Sequence, residues 1–154
     1  MIIAETSQMQ TPFLIKAGGI GRGVCWLLSA VGRVYLAHCP DKEREEILLR
    51  LKKSDKPEDR LAHETKRLEK ILTETRQRGF GIRDPGFIGG FYGNAPHDDG
   101  LASIALPLLD RGRVQGSINI LWVKTAHTVE EFAARHLPDL RAAASEIVSS
   151  LHSR

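Results

Sequence analysis

Residues 101–109 and 114–123 are two extended, largely apolar runs, and only Asp110-Arg111-Gly112-Arg113 stands between them. So short a link, with glycine where a left-handed conformation is needed, predicts a β-hairpin of two long strands. The rest of the chain must then supply helices that cover an antiparallel sheet. Alternation along the second run puts Ser117, Asn119 and Leu121 on one face, and Ile118, Ile120 and Trp122 on the other. Ser103, in Leu101-Ala102-Ser103-Ile104-Ala105, can point the same way as Asn119 from the paired strand. A polar side chain in mid-sheet faces water or a ligand, so Ser103 and Asn119 are candidate pocket residues.

Helical patterns surround the hairpin. Residues 41–53 present Ile47, Leu48 and Leu51 on one side. A further helix is predicted over residues 57–78, where Leu61, Thr65, Leu68, Leu72 and Thr75 recur at three- and four-residue steps. Pro57 suits its first turn and Gly79 its C-terminal cap. Thr128-Val129-Glu130-Glu131 is a capping box opening a C-terminal helix that carries Phe132, His136, Leu140, Ala143, Ile147 and Leu151. Pro138 is predicted to divide or kink that helix. Residues 80–84 read as a short strand and 85–100 as a loop. Near the start, Ile2-Ile3-Ala4 and Phe13-Leu14-Ile15-Lys16 read as a pair of strands ending in a glycine-rich turn at residues 18–23. That turn loosely resembles a phosphate-binding glycine loop. It lacks the following helix with an acid about 20 residues on, and so reads as a hairpin loop. Strands and helices do not strictly alternate, so the class is α+β.

With 154 residues, 42% of them hydrophobic and 27% charged, the composition is that of one globular domain. A chain of this length buries roughly 70% of its unfolded surface without disulfides or metal staples. No apolar run approaches the ~20 residues of a membrane span. Residues 1–10 lack the basic start and apolar core of a secretory signal, so the expected location is the cytoplasm. Lys and Arg number 22 against 19 Asp and Glu, a net charge of +3. Of these, 12 bases and 10 acids fall within residues 41–78 with signs mixed, which marks solvated helix faces and not a nucleic-acid-gripping stripe. Cys25 and Cys39 have no CxxC partner and no histidine at metal-ligand spacing, so they read as small buried hydrophobes.

Ser29 is a good N-cap, and a helix starting at Ala30 leaves the amides of Ala30, Val31 and Gly32 free at its positive end, which favours an anion. Arg83 stands in a strand of small or apolar residues, where a lone cation could meet a carboxylate bidentately or pair with Asp84 or another acid. Phe87-Ile88-Gly89-Gly90-Phe91-Tyr92-Gly93 could wall a small-molecule pocket or merely cover the sheet edge. His97-Asp98-Asp99 is consecutive and reads as a solvated loop, not a metal site. No nucleophile elbow accompanies Ser29, Ser103 or the cysteines.

Five segments carry a resemblance. They are Leu28-Ser29-Ala30-Val31-Gly32-Arg33-Val34-Tyr35-Leu36-Ala37, Arg78-Gly79-Phe80, Gly100-Leu101-Ala102-Ser103-Ile104-Ala105-Leu106-Pro107, Gly116-Ser117-Ile118-Asn119-Ile120 and Leu137-Pro138-Asp139-Leu140. In their order and spacing over residues 11–151 they resemble the effector-binding domain of the IclR family of bacterial transcription regulators. Cys39-Pro40-Asp41-Lys42-Glu43-Arg44 looks most like the branch that regulates catabolism of hydroxyphenylpropionate and related aromatic acids. The resemblance implies a GAF-like domain: a curved antiparallel sheet with helices packed on one side and an effector pocket on the other. It implies that the amides of Ala30 and Val31 hold an anion and that Arg83, Ser103, Asn119 and Leu121 line the site. Arg83 falls where the family can have Asp, and Leu121 where it can have Ser. An added cation and a more apolar wall suggest an aromatic carboxylate.

The family also carries an N-terminal winged helix-turn-helix domain, and no groove-reading element precedes Met1-Ile2-Ile3. Residues 1–154 are thus expected to be the effector-binding domain alone, reaching DNA only through a domain absent from this chain. A homodimer or homotetramer without cofactor, metal or enzymatic activity is expected. Two alternatives stay open: a small enzyme using His38 or Cys39 beside the same pocket, and a ligand-independent oligomerisation module.

Overall fold

A computed structural model describes residues 1–5, 20–92 and 95–151. Its centre is the expected hairpin. Strands β4 (Leu101–Asp110) and β5 (Arg113–Val123) pair from Leu101↔Val123 to Asp110↔Arg113, with a register shift between Leu108 and Leu109. The turn holds Arg111 at φ 46° and Gly112 at φ 78°, so both central residues are left-handed, as a tight hairpin requires. β1 (Gly81–Ile82) pairs antiparallel with β4 on the other side, giving the order β1-β4-β5.

Alternation divides the two faces of this sheet. Ile104, Leu106 and Trp122 pack against Phe132, Ala133, Leu140 and Ala144 of the C-terminal helix. Trp122 stacks on Phe132 with ring centroids 3.9 Å apart, and its indole N–H donates to the His127 carbonyl at 3.0 Å. On the opposite face Ala105 packs against Ala30 and Val34 of helix α1 (Ala30–His38). The mixed helix and antiparallel-sheet class therefore stands, but the helices are not confined to one side. The reason is steric: the sheet presents small residues beneath α1, Ala105 and Gly81 among them, and a Cβ on Gly81 would lie 2.4 Å from the Ala30 carbonyl oxygen.

Helices α2 (Asp41–Lys52) and α3 (Thr65–Arg78) close a second core with α1, built on Leu36, Ile47, Leu51, Leu68 and Leu72. The single helix expected over residues 57–78 is two pieces: a 3-10 turn, Pro57–His63, and then α3. Glu64, at φ −93° and ψ 63°, breaks the run, so Leu61 is buried from the first piece while Thr65 is exposed. Gly79 caps α3 at φ 79°, as anticipated. The Thr128–Glu131 capping box forms in full. The helix it opens, α4 (Val129–Ser150), is not divided by Pro138. Proline removes one N–H bond, and burial of Leu140 and Ala144 beyond it holds the helix on the sheet. Ile147 and Leu151, at its far end, are exposed.

The loop expected over residues 85–100 contains a second hairpin, β2 (Gly89–Tyr92) with β3 (Ala95–Asp98). Its glycines and proline hide the strand pattern, because backbone pairing does not need alternating side chains. At the N-terminus Ile2 bridges Gly23, and the Ile3 amide donates to the Arg22 carbonyl at 3.0 Å, so this segment pairs with the glycine run. The strand expected at Phe13-Leu14-Ile15-Lys16 lies outside the described residues. No helix among the described residues is long and apolar enough to cross a membrane.

Tyr35 of α1 donates to Glu43 of α2 at 2.6 Å, and burial, then that carboxylate, pushes its phenol up to about 12. The unfolded phenol titrates near 10. The stability it contributes is therefore complete below about pH 10 and lost as the pH rises through about 12. Urea unfolding at intervals between pH 9 and 12 should show this decline, and Glu43→Gln should make it shallower. An identical slope in the variant would remove Glu43 as a cause.

Candidate functional site

The helix start is built by Ser29 and Gly32. Ser29 is extended (φ −81°, ψ 150°), and its hydroxyl oxygen accepts from the Gly32 amide at 3.0 Å while donating to the Cys25 carbonyl at 2.5 Å. That takes one of the first-turn amides and leaves those of Ala30 and Val31 without an intrahelical acceptor. Glycine is required at position 32, since a Cβ there would meet the Trp26 carbonyl oxygen at 2.4 Å. Ser117 donates to the Val31 carbonyl at 3.1 Å, seating the helix start on β5. Arg33 ties it to β1: its Nε donates to the Leu27 carbonyl at 2.7 Å, Nη1 to the Ile82 carbonyl at 3.2 Å, and Nη2 pairs with Asp84 at 2.5 Å.

On the sheet beside this helix end, Ser103 lies opposite Leu121 and Ala105 opposite Asn119. Asn119 Nδ2 donates to the Ser103 hydroxyl at 3.2 Å, forming a polar pair. Ser103 is buried, whereas Leu121 is 42% exposed and forms an open apolar edge. Arg83 continues the β1–β4 ladder through its amide, which donates to the Ser103 carbonyl at 3.0 Å. Its parity with Gly81 turns it to the same face. Ala30 and Val31 of α1, Ser103 of β4, Asn119 and Leu121 of β5, and Arg83 just after β1 thus lie on one side of the sheet.

The guanidinium of Arg83 is already committed. Its Nη2 lies 2.8 Å from both oxygens of Asp99, and the group stacks 4.7 Å from the Phe87 ring centre. Of the acids considered as its partner, Asp84 is taken by Arg33. Gly89, at φ +70°, closes over the Arg83–Asp99 pair, and a Cβ there would lie 2.2 Å from Nη2. A cavity of about 280 Å³ opens at this end of the sheet, walled by Ile82, Arg83, Ala102, Lys124, Thr128 and Val129 among others; of the six predicted site residues it takes in Arg83 and not Ala30, Val31, Ser103, Asn119 or Leu121.

The remaining candidates separate. Asp98 pairs with Lys124, which together with the Gly100 amide holds its carboxyl below the usual range, while Asp99 turns to Arg83. No three potential metal ligands cluster among the described residues. Burial pushes the thiols of Cys25 and Cys39 up, away from the thiolate a nucleophile needs. Of the aromatic loop, Phe87 is the ring over Arg83, while the side chains of residues 90–97 lie outside the described residues. Sequence reasoning missed the roles of Arg33, Asp84 and Asp99. Partners separated by 51 and 16 residues leave no local signal. Ser117 was within reach, since alternation alone puts it on the Asn119 face.

Residues 13–149 match the family model of the bacterial transcriptional regulator IclR C-terminal domain. Among solved structures, a transcriptional regulator from Rhodococcus sp. RHA1 is 23% identical with a TM-score of 0.61, covering 90% of this chain and 54% of that one. The chain thus spans about half the length of that regulator. The transcriptional regulator YaiJ is 20% identical, with a TM-score of 0.70 over 97% of this chain and 78% of its own. A double mutant of the PobR inducer-binding domain from Acinetobacter, in complex with 3-hydroxybenzoic acid, is 19% identical, with a TM-score of 0.63 over 94% of this chain and 77% of its own. At these identities the likenesses speak for a shared fold.

Proposed function

Since the chain belongs to the IclR C-terminal family of bacterial transcriptional regulators, we propose that it senses a small aromatic carboxylate and passes that signal to a DNA-binding domain outside residues 1–154. The reading rests above all on where the helix start lies: Ala30 packs on Ala105, which stands opposite Asn119, so the first-turn amides without an intrahelical acceptor belong to the sheet face that carries the Ser103–Asn119 pair. In this reading the amides and Arg83 supply the positive potential a carboxylate needs. Asn119 and Ser103 orient it, and Leu121 receives its apolar body. The 3-hydroxybenzoic acid bound by the PobR domain is of the same chemical class. Binding would act by favouring one arrangement of paired subunits, in a homodimer or homotetramer, over another, which requires different affinities for the two.

A thermal-shift screen against benzoates, phenylpropionates, hydroxyphenylacetates and 2-oxo acids tests this. A ligand at a hundred times its Kd adds about 2.7 kcal/mol, a Tm rise of about 5 to 10 °C at this size. Asn119→Ala should weaken binding about tenfold, the worth of one hydrogen bond to a charged group. The acid should be recovered unchanged after long incubation; turnover would favour an enzyme. A flat screen on an intact oligomer would favour an assembly module.

A further inference from the structure

Asp99 poses a question for the effector reading, because the cation best suited to a ligand's carboxylate already holds one. Arg83 is 7% exposed and the Asp99 side chain 20% exposed, so the pair is largely shielded from water. Its geometry is unbalanced. Both Asp99 oxygens lie 2.8 Å from the single nitrogen Nη2, which also points at the carbonyls of Phe87 at 3.0 Å and Ile88 at 3.4 Å. Four acceptors therefore compete for the two protons of Nη2. Arg83 Nε is buried and has no partner among the described residues. A guanidinium matches a carboxylate best through two parallel N–H bonds from two nitrogens, which Asp99 does not achieve.

We propose that Asp99 is a built-in competitor for the effector: it occupies Arg83 until a carboxylate that can bridge Nε and Nη2 displaces it. This rests on the effector-binding reading and gives that site its regulation. The incoming group gains a bond to a buried donor that the free protein leaves unmade. Arg83 and Leu101, the residue whose amide Asp99 holds, both wall the cavity at this end of the sheet, and Nε, buried in the free protein, is reached once Asp99 withdraws.

Displacement cannot be local. The Asp99 amide donates to the Ile88 carbonyl at 3.1 Å, and its carboxylate accepts from the Leu101 amide at 3.0 Å. Gly89, paired with Asp98 at the base of the β2–β3 hairpin, sits against both charged groups, where a Cβ would be 2.6 Å from Asp99 Oδ2. Exchanging Asp99 for a ligand therefore moves the base of that hairpin, which converts occupancy of the pocket into a change at the surface. Competition also sets a threshold: acids whose body gains little elsewhere do not dislodge Asp99.

Calorimetric titration of benzoate and 3-phenylpropionate into the wild-type chain, Asp99→Asn, and Asp99→Asn with Arg83→Gln tests the proposal, alongside hydrogen exchange of residues 88–99. Asp99→Asn should bind about tenfold or more tightly than wild type, and adding Arg83→Gln should abolish the gain. In the wild type, ligand should speed exchange at residues 88–99. Wild-type affinity in a folded Asp99→Asn protein would overturn the competitor and leave the effector reading standing. If no variant binds either acid, or any acid of the wider screen, the effector reading fails and takes this proposal with it. Should Asp99→Asn not fold, Asp99→Ser, which keeps an acceptor for the Leu101 amide, gives the same comparison.

Discussion

Replacing Arg33 by Met is expected to cost the domain about 3–5 kcal/mol, the range for breaking a buried ion pair by removing one partner. Arg33 is almost fully buried, and its three donor groups go to Leu27, Ile82 and Asp84. Methionine fills much of the volume but leaves two carbonyls and the Asp84 carboxylate without their partner. The Asp84 amide, which donates to the Leu28 carbonyl at 2.8 Å, sits in the same junction, so the approach to α1 and the exit from β1 should loosen together. Urea unfolding measures the loss. Adding Asp84→Leu should recover part of it, because an apolar pair no longer strands a buried charge. A loss below about 1 kcal/mol in Arg33→Met would mean that this junction is held by packing and not by the ion pair.

The second large effect is expected at Gly81. A methyl group there would lie 2.4 Å from the Ala30 carbonyl oxygen and 3.1 Å from Val34 Cβ. Both neighbours are fixed, one being backbone and the other buried, so α1 must lift from the sheet. Gly81→Ala should therefore destabilise by about 3 kcal/mol, the upper end of overpacking costs. It should also reduce carboxylate binding, because the amides of Ala30 and Val31 move with the helix. Gly116→Ala is the control: its Cβ would meet only Leu108 Cδ1 at 3.7 Å, and loss of unfolded-state freedom should make it neutral or stabilising by about 0.5 kcal/mol. Equal unfolding midpoints for the two variants would sink the close-approach argument.

Local chemistry explains which elements could be read in advance. The β4–β5 hairpin was legible because its turn needs glycine at a left-handed position and its strands alternate, and Gly112 and Asn119 satisfy those rules within a few residues of chain. The Thr128 cap and the Gly79 stop are equally local. The break at Glu64 was not legible, since Leu61, Thr65 and Leu68 fit one helical stripe as well as two. Nor was the β2–β3 hairpin, whose glycines and proline resemble a loop.

The candidate site divides in the same way. That Asn119 and Leu121 share a face of β5, that Ser103 joins them across a tight hairpin, and that Ser29 caps a helix beginning at Ala30 follow from alternation, a short turn and capping, whose range is one turn or one hairpin. That α1 lies on this face, held by Ser117 and by the absence of a side chain at Gly81, depends on contacts across the chain. So does the choice of Asp99 for Arg83 and Asp84 for Arg33. Several acids could serve either cation, and only packing determines which carboxylate is brought within 3 Å of a buried guanidinium. The sequence by itself determined the elements whose signals are local (the β4–β5 hairpin and the capped helices), their apolar faces and the kinds of group available to a ligand. The tertiary structure alone decided which acids the buried Arg33 and Arg83 pair with, because those pairings depend on distances that a linear chain leaves open until its strands have closed on one another.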